Sequence, residues 1–111
     1  MVGRSKPITK ADRARFEKLH QLGCICCRIK IQVQKFPCTI HHLLGAGRRL
    51  GHQATIPACR WHHLGTTYEG LTKAEMTLYY GPSLANGSKP FKLEFGTDDE
   101  LLALVNELIV S

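Results

Sequence analysis

The sequence predicts a small α+β domain, and three observations predict it. Two short motifs, Cys24 with Cys27 and Cys59 with His62, stand 31 residues apart and are each spaced to close on one ion. Short β-branched runs flank a Gly-rich stretch between them, and three threonine-led capping signatures mark helices outside them. At 111 residues, one compact domain is the ceiling. A chain of this size buries only about two-thirds of its unfolded surface. With 43% hydrophobic residues and one tryptophan, it gains from a metal or disulfide staple.

The elements follow in order. Residues 9–22 read as a helix, because Thr9 can cap it with Asp12 three residues on, Phe16, Leu19 and Leu22 recur at helical spacing, and Gly23 suits the terminating position. Over 29–36, Ile29, Ile31 and Val33 alternate with Lys30, Gln32 and Gln34, the period of a half-buried strand, until Pro37 interrupts it. A short strand is expected over 38–44, then the flexible stretch GAGRRLGH, then a second short strand near 54–56. Pro57 is placed to open a short helix, ACRWHHLG, that closes at Gly65. Thr72 with Glu75 and Thr97 with Glu100 predict helices near 73–80 and 98–110, with GPSLANGSKP as a turn-rich linker between them. Leu101, Leu104, Val105 and Leu108 share one face of the last helix, either core or a subunit contact; in so small a domain core is the better default, and a monomer is favoured.

Charge is distributed unevenly. The formal net charge is +6, and residues 23–67 carry six basic side chains and no acidic one. That carboxylate-free stretch holds all five cysteines and five of the six histidines, so chemistry there must use imidazole and thiolate. A cationic segment of this kind attracts a polyanion, nucleic acid above all, although a solvated basic face has the same composition. The longest apolar run, 101–105, is far short of the roughly 20 residues of a membrane span. No secretory signal is visible, and an odd cysteine count favours metal-bound thiolates in a reducing, cytoplasmic compartment.

Cys24, Cys27, Cys59 and His62 form two knuckles that together make a tetrahedral zinc site, structural in role. Cys26 is an alternative to Cys27, but the two-residue gap favours Cys27, and Cys38 is expected to pack beside the strand. His63 stands beside the knuckle and is free to hold a second metal. The doublet His41 and His42 ends a strand before a Gly-rich loop. A regular strand points them to opposite faces, so either one is a ligand and the other a base, or the strand is irregular there.

Read together, CxxC, IHHLLG and IPACRWHH resemble the HNH family of ββα-metal (His-Me finger) nucleases. Within it, GCICCR, HHLLGAGRRLGH, IPACRWHH and GPSLANGSKPFKLEFGTDDELL look like bacteriophage Ref-type recombination-enhancement nucleases, described as RecA-dependent DNA endonucleases. The resemblance covers residues 23 to about 105. It implies a zinc-stapled ββα core with flanking helices, divided into a basic tail and helix over 1–22 and a nuclease domain over 23–111. It implies DNA and a RecA filament as partners, with no membrane association.

By position, the resemblance makes His42 the general base and makes His41 and His63 ligands of a catalytic divalent ion, Mg2+ or Mn2+. Arg48, Arg49 and Arg60 would clamp phosphates. The family's middle Asn has no match: Ala54 occupies its usual offset, and His52, two residues earlier, is the candidate to orient the base. A later helix ligand of many members is also absent after His63, with Asn86 as a candidate replacement. A non-catalytic zinc-bound nucleic-acid-binding module is the alternative, and the HH doublet discriminates against it. A thiol redox protein built on Cys24 and Cys27 leaves the histidines unexplained.

Overall fold

The computed structural model describes residues 7–45 and 47–110. Most of the expected basic tail and Ala46 of the Gly-rich stretch lie outside the described residues. Helix α1 (Lys10–Leu22) starts at Thr9, whose hydroxyl accepts the Asp12 N–H at 3.1 Å while Asp12 accepts the Thr9 N–H at 3.0 Å. It ends at Gly23, with φ +83° and ψ −177°. The chain folds back there, so that the Cys24 N–H donates to the Lys35 carbonyl at 3.1 Å. A Cβ on Gly23 would lie 2.9 Å from that same oxygen, so both backbone conformation and space require glycine.

Helix α2 (Ile25–Ile31) replaces the strand expected over 29–36. Cys24 caps it and its sulfur accepts the Cys27 N–H at 3.4 Å. Convergence of residues three apart demands a helical turn, and that requirement outweighs the alternation that follows it. Ile29 and Val33, the residues that would have faced the core from a strand, are exposed. After an irregular passage, β1 (Thr39–His42) pairs antiparallel with β4 (Thr55–Ala58) in the register Thr39 to Ala58, Ile40 to Pro57, His41 to Ile56 and His42 to Thr55.

Pro57 therefore lies inside a strand rather than opening a helix. A two-stranded sheet has only edge strands, where a residue without an N–H is tolerated. The Gly-rich stretch between the strands is a small hairpin, with β2 (Leu44–Gly45) paired to β3 (Arg48–Arg49).

Helix α3 (Arg60–Leu64) follows β4 at once, capped at Cys59 and closed by Gly65 at φ +75°. It packs across both main strands, so the unit at the centre of the fold is two antiparallel strands and a helix. Helix α4 (Lys73–Tyr80) and helix α6 (Asp98–Val110) begin at the expected capping boxes on Thr72 and Thr97. The segment read as a linker carries a 3-10 turn, η1 (Leu84–Asn86), and a further helix, α5 (Ser88–Phe95). Helix α5 sends Phe91 and Phe95 into the core.

One buried cluster runs from Leu19 on α1 through Ile25, Leu43, Ile56, Trp61 and Met76 to Leu101 and Val105 on α6. Leu104 and Leu108 pack half-buried against it. Arg15, almost wholly buried, ties three elements together: it donates to the Thr55 hydroxyl at 2.9 Å, to the Thr55 carbonyl at 2.6 Å and to Asn106 on α6 at 2.7 Å.

Gly23→Ala should destabilise the chain by about 1–3 kcal/mol, because it forces a side chain into a backbone region that only glycine adopts readily. A chemical denaturation curve whose midpoint is unchanged would contradict this account of the α1–α2 corner.

Candidate metal centre and active site

The four knuckle residues meet. Cys24 caps α2 and Cys27 lies one turn on, while Cys59 caps α3 and His62 lies one turn on, so each pair shares a helix face. Their ligand atoms all lie within 4.8 Å of one another, and all four residues are buried. His62 Nδ1 is 3.4 Å from Cys24 Sγ, 3.6 Å from Cys27 Sγ and 3.2 Å from Cys59 Sγ, and the Cys27 and Cys59 sulfurs are 3.9 Å apart. Zinc bonded at about 2.3 Å to sulfur and 2.0–2.1 Å to nitrogen in a tetrahedron would separate sulfurs by about 3.8 Å and sulfur from nitrogen by about 3.5 Å. The three sulfur–nitrogen distances and the Cys27–Cys59 distance are close to those separations, so this Cys3His group could hold a metal ion such as zinc.

The ring of His62 is set for that task. Its Nε2 donates to the Tyr80 carbonyl at 2.7 Å, which leaves Nδ1 as the nitrogen facing the sulfurs. Burial disfavours its cation, yet hydrogen bonds to the sulfurs of Cys24 and Cys59 push its pKa up to about 10. Hydrogen bonds with Cys26, Cys27 and Cys59 hold the Cys24 thiol far below its ordinary range, while those with Cys24 and Cys59 push Cys27 far above it. Such uneven sharing of protons is what crowded, buried sulfurs do, and a divalent cation relieves it by taking the place of the protons. Cys26 is buried beside the group but is not one of the four convergent donors, and Cys38 is buried next to β1 with its thiol toward the Leu19 carbonyl.

The remaining histidines are sorted by the sheet. The ladder is regular through His42, so side chains alternate. His41 meets His63 of α3 edge-on, ring centroids 4.9 Å apart. His42 meets His52, their rings 5.2 Å apart and His42 Nε2 3.0 Å from His52 Nδ1. Burial and the neighbouring His63 lower the His41 pKa to about 4, and Asp98 at the start of α6 acts in the opposite sense, as a nearby carboxylate does. His42 is lowered by burial and then by Arg49, and His63 by burial. All three are therefore uncharged imidazoles at neutral pH, the form that binds a metal or accepts a proton.

Several residues that hold this arrangement carry no sequence motif. Thr55, opposite His42 in the ladder, donates its hydroxyl to the His52 carbonyl at 2.8 Å and receives Arg15 on the same oxygen. Gln53 donates to Asp12 of the α1 capping box at 2.7 Å, so the loop bearing His52 is tethered on both sides. Phe16 of α1 presents its ring to both His42 and His52, at 6.2 and 5.8 Å. Thr39 hydrogen-bonds His63. Arg48 and Arg49 stand exposed on β3, and Arg60 is exposed at the start of α3. Asn86 lies exposed in η1, and among the described residues its side chain makes no hydrogen bond to the histidines.

A family model described as recombination enhancement, RecA-dependent nuclease, matches residues 8–110. The chain belongs to that family. Among curated proteins no match is found. Membership supports a nuclease role in RecA-dependent recombination and points to DNA and RecA as partners. The match extends across α1 and the last helices as well as the strands and α3. Among the described residues, no helix is long and apolar enough to cross a membrane.

Stripping the metal from the Cys3His group with a strong chelator should unfold the chain, since a site of this kind contributes on the order of 10 kcal/mol. Cys59→Ser should have the same effect. Metal content by mass spectrometry and the emission of the buried Trp61 check both. Metal loss without any change in Trp61 emission or melting temperature would remove the structural role.

Proposed function

We propose that the chain is a metal-dependent DNA endonuclease of the HNH type, which hydrolyses phosphodiester bonds in phage or prophage recombination with a RecA filament. The supporting observation is the juxtaposition of two histidine pairs on one strand-strand-helix unit: His41 with His63, and His42 with His52. A binding module has no use for a histidine held by a second histidine beside a candidate ligand pair.

In this reading His42 is the general base. His42 Nε2 lies 3.0 Å from His52 Nδ1; with the hydrogen of that contact on His42 Nε2, Nδ1 of His42 is the nitrogen that takes the proton from the attacking water. His52 thus does the orienting that an Asn performs in other members of the HNH family, and it is itself set by Thr55 and by the Gln53–Asp12 tether. Phe16 packs edge-on against both rings and limits their reorientation.

His41 and His63 would hold a divalent ion, Mg2+ or Mn2+, which when bound supplies Lewis-acid stabilisation of the charge that develops on the phosphorane oxygens and the leaving 3′ oxygen. Two protein ligands leave room for water and phosphate. Arg48, Arg49 and Arg60 bind flanking phosphates, and the zinc at Cys24, Cys27, Cys59 and His62 fixes α3 so that His63 is presented to the strand.

Supercoiled and single-stranded DNA, incubated with Mg2+ or Mn2+ with and without a RecA filament, should be cut by the wild type. His42→Ala should lose about 10²–10⁴-fold in rate while keeping its circular dichroism spectrum and zinc. Equal rates for the two would remove His42 as the base. No cleavage by a folded, zinc-loaded wild type under any of these conditions would leave the non-catalytic zinc-bound module as the better description.

A further inference from the structure

We propose that Thr39 is a positioning residue that selects which nitrogen of His63 faces the ion, committing Nδ1–H to its own hydroxyl and leaving Nε2 bare as the donor. The proposal deepens the reading of His63 as a ligand and rests on it for its functional meaning.

The assignment follows from what each atom can do in a hydrogen bond. Thr39 opens β1 directly opposite Ala58, and its Oγ1 donates to the Ala58 carbonyl at 2.9 Å. A carbonyl oxygen only accepts, so the single hydroxyl proton is used there. The same Oγ1 lies 2.6 Å from His63 Nδ1. With its proton already directed at Ala58, the oxygen can only accept from the ring, and Nδ1 must carry the hydrogen. A neutral imidazole has one N–H, so Nε2 holds the lone pair. The main chain of His63 is fixed as well, its N–H donating to the Cys59 carbonyl at 2.9 Å. Ring and backbone are both set before any ion arrives.

The neighbouring histidine shows the same logic reversed. His62 gives its Nε2–H to the Tyr80 carbonyl and turns Nδ1 to the three sulfurs. Two consecutive histidines on a five-residue helix thus offer opposite nitrogens, each selected by the acceptor its other nitrogen meets. This keeps the two ligand sets separate on a helix too short to separate them by distance. The strand itself does not need the hydroxyl at position 39, since valine has an equal or better fit to a pleated, half-buried site. Thr also holds its hydroxyl in few rotamers, which suits an oxygen that must meet two partners at once.

The test uses the full zinc-loaded chain and two variants, Thr39→Val, which keeps the shape and removes the oxygen, and Thr39→Ser, which keeps the oxygen. Side-chain nitrogen NMR of the histidines, without added catalytic ion and at mildly alkaline pH, reads the tautomer of His63 directly. Manganese titration followed by the paramagnetic resonance of the free ion reads affinity without any DNA. Wild type and Thr39→Ser should show His63 protonated at Nδ1, and Thr39→Val should lose that preference and bind Mn2+ about 10–100-fold more weakly.

A wild-type His63 protonated at Nε2 would overturn the proposal, whether or not the variants fold, and so would a Thr39→Val chain identical to wild type in both readouts. If the tautomer shifts in Thr39→Val but no variant, wild type included, binds Mn2+, the nitrogen assignment stands and the reading of His63 as a catalytic-ion ligand falls.

Discussion

Three sulfurs and one imidazole nitrogen converge, and they come from two helical turns, one before β1 in the chain and one directly after β4. That convergence goes with the local structure of both turns. It turns Cys24–Cys27 into the opening of α2, despite a following sequence that alternates like a strand, and it makes Cys59 the cap of α3 immediately after β4. Helix α3 is only five residues long, and an isolated helix of that length has no stability of its own. It is held by the ligand group on one side, by Trp61 donating to the Gly81 carbonyl on another, and by the two strands beneath it. His63 is positioned in part by the anchoring of the residue before it.

The second constraint is the two-residue period of β1. An antiparallel ladder without a bulge cannot put adjacent histidines on the same side, so His41 and His42 acquire different neighbours. Each pair is finished by a threonine on the sheet: Thr39 bonds the ring of His63, and Thr55 bonds the main chain that carries His52. Helix α1 completes the second pair through Phe16, Arg15 and the Asp12–Gln53 tether. The first helix is therefore part of the histidine site and not merely an appendage to it. Electrostatically the division of the chain is consistent with a polyanionic partner, because the hairpin and α3 present Arg48, Arg49 and Arg60 from a stretch without carboxylates, while the acidic residues gather in the later helices.

Local signals were legible in the sequence wherever the physics is local. Helices α1, α4 and α6 start where a threonine and an acidic residue three positions on can exchange hydrogen bonds, and that exchange needs no tertiary partner. The knuckle spacings are readable for the same reason, since residues three apart on a turn face together. Helix α5 escaped because its N-cap is Gly87, which has no side chain to announce a start. Pro57 misled because a proline after a short apolar run fits a helix start and an edge strand equally well, and only the two-stranded sheet decides.

By itself, then, the sequence determined the α+β class, the four donors of the metal centre and the cationic, histidine-rich character of the segment between them, because composition and short spacings carry that information. The tertiary structure alone decided which histidine meets which. Register places His41 beside the helix and His42 beside the loop, and the ring nitrogens of His42, His62 and His63 meet partners 10 to 24 residues away. No local pattern links Thr39 to His63 or Arg15 to Thr55. Those contacts exist only once the strands have paired and the helix that crosses them is in place.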